Sequence, residues 1–168
     1  MQTSTQGITY HVAPGEGESF VLLSELITFK VKGEGTRACT IFENAMQPGY
    51  EGPPPHIHLN QDESFYVLEG AFTFHIGDRA IPATLGTFVH VPKGTLHTFE
   101  NTGTRVGRLL VTLSPPGDLE RFVEEVAEPT TEKAPPPLPV GPPEPVVIEK
   151  VVIAAHKHSI EIPPPPGH

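Results

Sequence analysis

His56-Ile57-His58 sets two imidazoles two residues apart. On an extended backbone, side chains two apart point to the same side. Glu63 follows five residues later, and His97 comes after the turn at Pro92–Gly94. Three neutral imidazoles and one carboxylate form a donor set carrying a single negative charge. Such a set suits Fe(II), Mn(II), Ni(II), Cu(II) or Zn(II) and is too rich in nitrogen for Ca or Mg. Four ligands leave two adjacent positions of an octahedral ion open, enough for a bidentate oxygen substrate and dioxygen, or for water. An isolated His-x-His is as readily a pair of solvated loop histidines, so this spacing alone leaves both readings open.

The elements around these residues read as short strands. Phe20, Leu22, Leu23, Leu26, Ile27, Phe29 and Val31 fall within Ser19 to Val31, enough for one or two strands. Further strands are expected at Arg37 to Glu43, Glu63 to Leu68, Ala71 to Ile76, Thr87 to Val91, His97 to Asn101 and Arg108 to Leu113. Glu69-Gly70, Gly77-Asp78 and Pro92–Gly94 supply turns, and three prolines before His56 force an extended entry. Many short strands at roughly 8–12-residue spacing indicate a sandwich or barrel. After Asp118 the period changes. Leu119, Phe122, Val123 and Val126 mark one face of a short helix that Pro129 ends. Residues 129–145 are a Pro-rich linker. Ile148, Val151, Val152 and Ala155 mark a second helix with Pro145 at its start, followed by an extended Ile160-Glu161-Ile162. The division is thus a barrel with trailing helix over 1–128, a linker over 129–145 and a docking segment over 146–168.

The segment His56-Ile-His58-Leu-Asn-Gln-Asp-Glu63-Ser-Phe-Tyr-Val-Leu-Glu-Gly70 resembles the first cupin motif, H-x-H-x(3,4)-E-x(6)-G. Gly86-Thr-Phe-Val-His-Val-Pro92-Lys-Gly94-Thr-Leu-His97-Thr-Phe-Glu-Asn101 resembles the second, G-x(5)-P-x-G-x(2)-H-x(3)-N, at every fixed position. The chain departs at Tyr50, where the family usually has glycine. The resemblance implies an all-β double-stranded β-helix, or jelly-roll barrel, over roughly 8 to 115. It also implies one divalent transition metal on His56, His58, Glu63 and His97. The Pro-rich run before His56, the phrase around Phe88 to His97 and Leu113-Ser-Pro-Pro-Gly117 look like the quercetin dioxygenase branch. That branch implies dioxygenation of a small oxygen-rich, flavonol- or diketone-like substrate, with Fe, Mn or Ni favoured and Glu63 relaying a proton as the catalytic residue. Cupins also include isomerases and non-catalytic binders of metals or small ligands, which are the alternative readings. The family usually pairs barrels across a two-fold axis. A homodimer is therefore expected, with Phe20 to Val31 as its edge.

Other side chains invite structural readings. Phe65, Val67, Phe72, Phe74, Phe88 and Phe99 are expected to line the barrel or its core. His75 is expected to face solvent, His90 to sit in the core, on the surface or beside the metal ligands, and His156, His158 and His168 to be solvated. Cys39 is expected to act as a small buried hydrophobe.

Composition bounds the function. A formal charge of −9 and a pI near 5.4 repel phosphate backbones, so no nucleic-acid partner is expected. No apolar run is long enough to span a membrane. Met1 to His11 lacks the basic and apolar regions of a secretory signal, and one cysteine fits a reducing cytosol, so a cytoplasmic setting is expected.

Overall fold

The computed structural model describes residue 9, residues 11–33 and residues 38–164. His168, most of Met1 to His11 and the start of the strand expected at Arg37 lie outside the described residues. The described chain is mostly strand. In order come β1 (Glu18–Leu22), β2 (Glu25–Val31), β3 (Thr40–Met46), β4 (Ile57–His58), β5 (Asp62–Glu69), β6 (Ala71–Ile76), β7 (Arg79–Thr84), β8 (Phe88–Val91), β9 (His97–Asn101) and β10 (Gly107–Ser114). Helix α1 (Asp118–Val126), β11 (Glu128–Thr130), helix α2 (Pro145–Lys157) and β12 (Ile160–Glu161) follow.

Seven strands form one sheet in the order β11-β1-β2-β3-β10-β5-β8, and β7-β6-β9 form the facing one. Among the described residues all strand pairings within these two sheets are antiparallel, as in a jelly roll. The inward faces are aromatic. The rings of Phe65, Phe74 and Phe99 lie 5.0 to 5.8 Å apart in tilted and edge-to-face contacts, and Phe72 joins them. Phe88 is instead 63% exposed, because the alternation of β8 sends Val89 and Val91 inward and Phe88 and His90 outward. Cys39 is only partly buried, just ahead of β3.

Asn101 fixes one end of the barrel. Its amide donates to the carbonyls of Met46, Gln47 and Arg105 at 3.2, 3.1 and 3.0 Å and accepts from the Gly103 N–H at 3.0 Å. Near it, Gly52 has φ +91°, and a Cβ there would lie 1.8 Å from the Phe99 carbonyl oxygen. This loop therefore places its obligatory glycine at 52 and leaves position 50 to a buried tyrosine.

The expected N-terminal edge is not open. β11 pairs with β1 at Ser19↔Thr130, Phe20↔Pro129 and Val21↔Glu128, so the chain covers that edge itself. Pro129 both follows α1 and sits in this outer strand, where proline removes no needed donor.

The C-terminal segment lies on the barrel of its own chain. β12 pairs with β4 at Ile160↔His58, and the Leu59 N–H donates to the Ser159 carbonyl at 2.9 Å. Val151, Ala154, Ala155 and Ile160 are buried. His158 is not solvated: it bonds Glu125 at 2.8 Å beside a Lys157–Glu125 pair. Burying two branched aliphatic side chains contributes about 1.5–3 kcal/mol each. Ending the chain after Glu144 is therefore expected to lower the melting temperature by on the order of 10 °C. An unchanged melt would show that the cap contributes nothing to the fold.

Candidate metal centre

The four donor residues come from four different places in the chain. His56 precedes β4, His58 lies in it, Glu63 is near the start of β5 and His97 opens β9. Two reciprocal hydrogen bonds clamp His56 to His97, each N–H donating to the other's carbonyl at 3.0 Å. Pairing of Glu63 with Val91 fixes β5. Each of these side chains offers a ligand atom, and all four atoms lie within 4.8 Å of one another.

The surroundings prepare the imidazoles as ligands. His56 Nδ1 lies 2.9 Å from the Pro54 carbonyl, and His97 Nδ1 lies 2.9 Å from the Thr95 carbonyl. A carbonyl can only accept, so both rings carry their proton on Nδ1 and turn a lone pair out at Nε2. His58 is 3% exposed, and neither of its ring nitrogens has a hydrogen-bond partner among the described residues. Its Nε2 lies 3.2 Å from Glu63 Oε2 without hydrogen-bond alignment, while His97 Nε2 lies 2.9 Å from that same oxygen. A buried imidazole without a partner costs stability unless an ion occupies the place. The donor set therefore fits a divalent transition metal.

Electrostatics agree. Burial, then the neighbouring His97 and His58, hold His56 down to about 3, so it stays neutral. Burial alone would raise Glu63, but His58 and His97 override it and hold the carboxyl well below the usual range. Burial would lower His97, yet its bond to Glu63 raises it. Of the remaining histidines, His75 is exposed and bonds Glu100 at 3.0 Å, and His90 is exposed and bonds Ser64 at 2.9 Å. His90 thus lies on the outer face, away from the donors.

His56, His58 and Glu63 line a cavity of about 80 Å³. Leu119 and Phe122 of α1 and Val151, Ile160 and Ile162 from the C-terminal segment close one side. Two polar residues on the opposing strands were not singled out by sequence, Glu25 of β2 and Asn44 of β3. Both are buried, as is Tyr50, whose hydroxyl donates to Glu25 Oε1 at 2.5 Å. Asn44 Nδ2 donates to Glu25 Oε2. Burial raises the Glu25 carboxyl above its ordinary value, and these two hydrogen bonds only partly offset it. The available signal was alternation. Glu25 shares a face with Ile27 and Phe29, and Asn44 shares one with Phe42 and Met46, so each is a polar residue in an apolar series.

Fold and site together define a jelly roll whose four clustered donors could hold a metal. Residues 42–113 match the family described as "Cupin domain". This match, which spans less than half of the chain, supports placing the chain in the cupin superfamily. It is 27% identical over 124 residues to a quercetin 2,3-dioxygenase of Bacillus subtilis (strain 168), covering 73% of this chain and 36% of that one. It is 33% identical over 90 residues to Protein SchB of Streptomyces halstedii, covering 54% and 64%. The chain thus spans less than two thirds of either relative. Among solved structures, KdgF from Halomonas sp. superposes with a TM-score of 0.58 at 18% identity, over 67% of this chain and 99% of that one. Among the described residues, no helix is long and apolar enough to cross a membrane.

Proposed function

We propose that the chain is a metal-dependent dioxygenase acting on a small oxygen-rich substrate, with one Fe, Mn or Ni ion held by His56, His58, Glu63 and His97. The observation that carries this reading is the convergence of four metal-ligating side chains, His56, His58, Glu63 and His97, beside a mostly apolar cavity that the first three line. A bound ion of this kind supplies Lewis acidity and a path for electrons to dioxygen. The protein's own part is positional. His56 and His97, locked through Nδ1, hold rigid lone pairs. Glu63 serves as ligand and accepts the proton of the substrate hydroxyl. The apolar cap excludes bulk water, which strengthens every interaction inside.

The similarity to the Bacillus enzyme supports the same reaction class. The test is oxygen uptake with a panel of diketones and flavonols, on protein loaded separately with each metal. Uptake is expected with at least one pairing. None with any pairing, at full metal occupancy, would leave a binding protein or an isomerase.

Metal affinity should depend on pH. A ligand must lose its proton to coordinate, so protons compete wherever a ligand titrates. His97 is held above its ordinary 6.5 by Glu63, so it gains a proton as pH falls through that raised value. His56, held at about 3, does not. Affinity is expected to fall, approaching tenfold per pH unit, below the His97 transition and to level off above it. Competition with a colorimetric chelator between pH 5 and 8 checks this, and a flat profile would contradict the ligand role of His97.

A further inference from the structure

The cavity that meets the metal donors also meets Asn44, which is 3% exposed. Its amide nitrogen is committed to Glu25 Oε2. Its carbonyl oxygen, equally buried, has no hydrogen-bond partner among the described residues. As a carboxylate, with one oxygen holding the Tyr50 hydroxyl at 2.5 Å, Glu25 turns its other oxygen to the nitrogen side of Asn44. Tyr50 thus pins Glu25, and Glu25 pins Asn44. Glu25 and Asn44 sit where the alternation of β2 and β3 calls for apolar side chains, and the surrounding wall is made of Ile27, Phe42, Phe65 and Val111. Among the described residues, no lysine or arginine lines this cavity to neutralise Glu25. A stack of polar groups buried this way has no packing role that Leu or Met would not fill better.

The Tyr50 hydroxyl and one N–H of the Asn44 amide are given to Glu25. The Asn44 carbonyl oxygen is left as an acceptor without a donor among the described residues. We propose that Asn44, aligned by Glu25 and Tyr50, is a specificity residue that accepts a hydrogen bond from a hydroxyl group of the ligand, at the wall of the cavity formed by β2 and β3. This rests on the reading of the cavity as the substrate site. It adds that the substrate carries a neutral hydroxyl besides the oxygens facing the metal donors. An anionic or methylated group at that position would leave the Asn44 carbonyl unpaired and bind poorly.

The experiment compares phenol with anisole, two single rings of similar shape of which only phenol donates a hydrogen bond. Binding of each to the metal-loaded full chain is measured by calorimetry, alongside Asn44→Leu and Tyr50→Phe. Wild type is expected to prefer phenol at least tenfold. Asn44→Leu should reduce that preference to near one by tightening anisole and weakening phenol, and Tyr50→Phe should reduce it partly. A preference that survives in Asn44→Leu would come from the metal and would overturn the proposal. Equal binding of both probes to wild type, or binding of neither, would overturn it too. Should Asn44→Leu fail to fold, the smaller Asn44→Ala is read instead; it too removes the acceptor and must lose the preference, and a preference that survives in it would overturn the proposal. Oxygen uptake is scored separately: loss of the phenol preference with turnover intact sinks only the Asn44 role, and a preserved preference without turnover on any metal sinks only the dioxygenase reading.

Discussion

Replacing His58 and His97 together by alanine is expected to reduce bound metal from near one ion per chain to below about a tenth, measured by elemental analysis after dialysis. The two donors lost are both almost fully buried, at 3% and 2% exposure. What remains is His56 and Glu63, a pair with no geometric closure, since His56 is positioned by its backbone clamp to His97 and Glu63 by β5. Even groups that only orient ligands cost 10–100-fold in affinity when removed, and two ligands cost far more. Removing both imidazoles also strips Glu63 of the partners that hold it ionised, and an uncompensated buried charge costs about 3–5 kcal/mol. A melt by circular dichroism therefore accompanies the measurement, and the bulkier His58→Gln/His97→Gln pair repeats it in a better-filled site. Full occupancy in a folded variant of either kind would remove these residues from the metal centre.

The barrel was legible because its strands alternate and its turns carry glycine and proline at the right places, and because the donor residues sit within motifs of fixed spacing. What escaped notice had physical reasons. β7, with the run Arg79-Ala-Ile-Pro-Ala-Thr84, has no apolar alternation. It tolerates Pro82 because it is the outer strand of its sheet, hydrogen-bonded to β6 alone. β11 hides in a proline-rich stretch, and its pairing with β1 is set by where α1 ends rather than by its own side chains. Phe88 was expected inside on hydrophobicity, but the two valines beside it decide the register of β8. Glu25 and Asn44 were passed over because each is a single polar residue in an apolar strand. Only the pairing of β2 with β3, at Ile27↔Asn44 and Glu25↔Met46, brings them together. The docking of the C-terminal segment was expected from its apolar face. That it lands on β4, the strand carrying His58, is a fact of three-dimensional register that periodicity does not contain.

Glu63→Gln is expected to retain more than half of the metal while turnover per bound ion falls by on the order of 10²–10³-fold. The two effects separate because the proposed function gives Glu63 two tasks. As a ligand it is one of four, and the remaining three imidazoles keep their geometry: His56 and His97 are held through Nδ1 by backbone carbonyls that the substitution does not touch. As a proton acceptor it stands alone, since His56 and His97 spend their lone pairs on the ion. Glutamine preserves the size and one oxygen donor but cannot take up a proton, and loss of a positioned general base typically costs 10²–10⁴-fold. A purely structural Glu63 predicts the opposite pattern, with activity falling only as far as metal content falls. Glu63→Asp sharpens the comparison, since it restores a base on a shorter arm and should recover part of the turnover without improving metal retention over glutamine. Oxygen uptake divided by metal content is the deciding quantity. A Glu63→Gln protein with wild-type uptake per ion would strip Glu63 of its role as proton acceptor, whatever its place among the ligands.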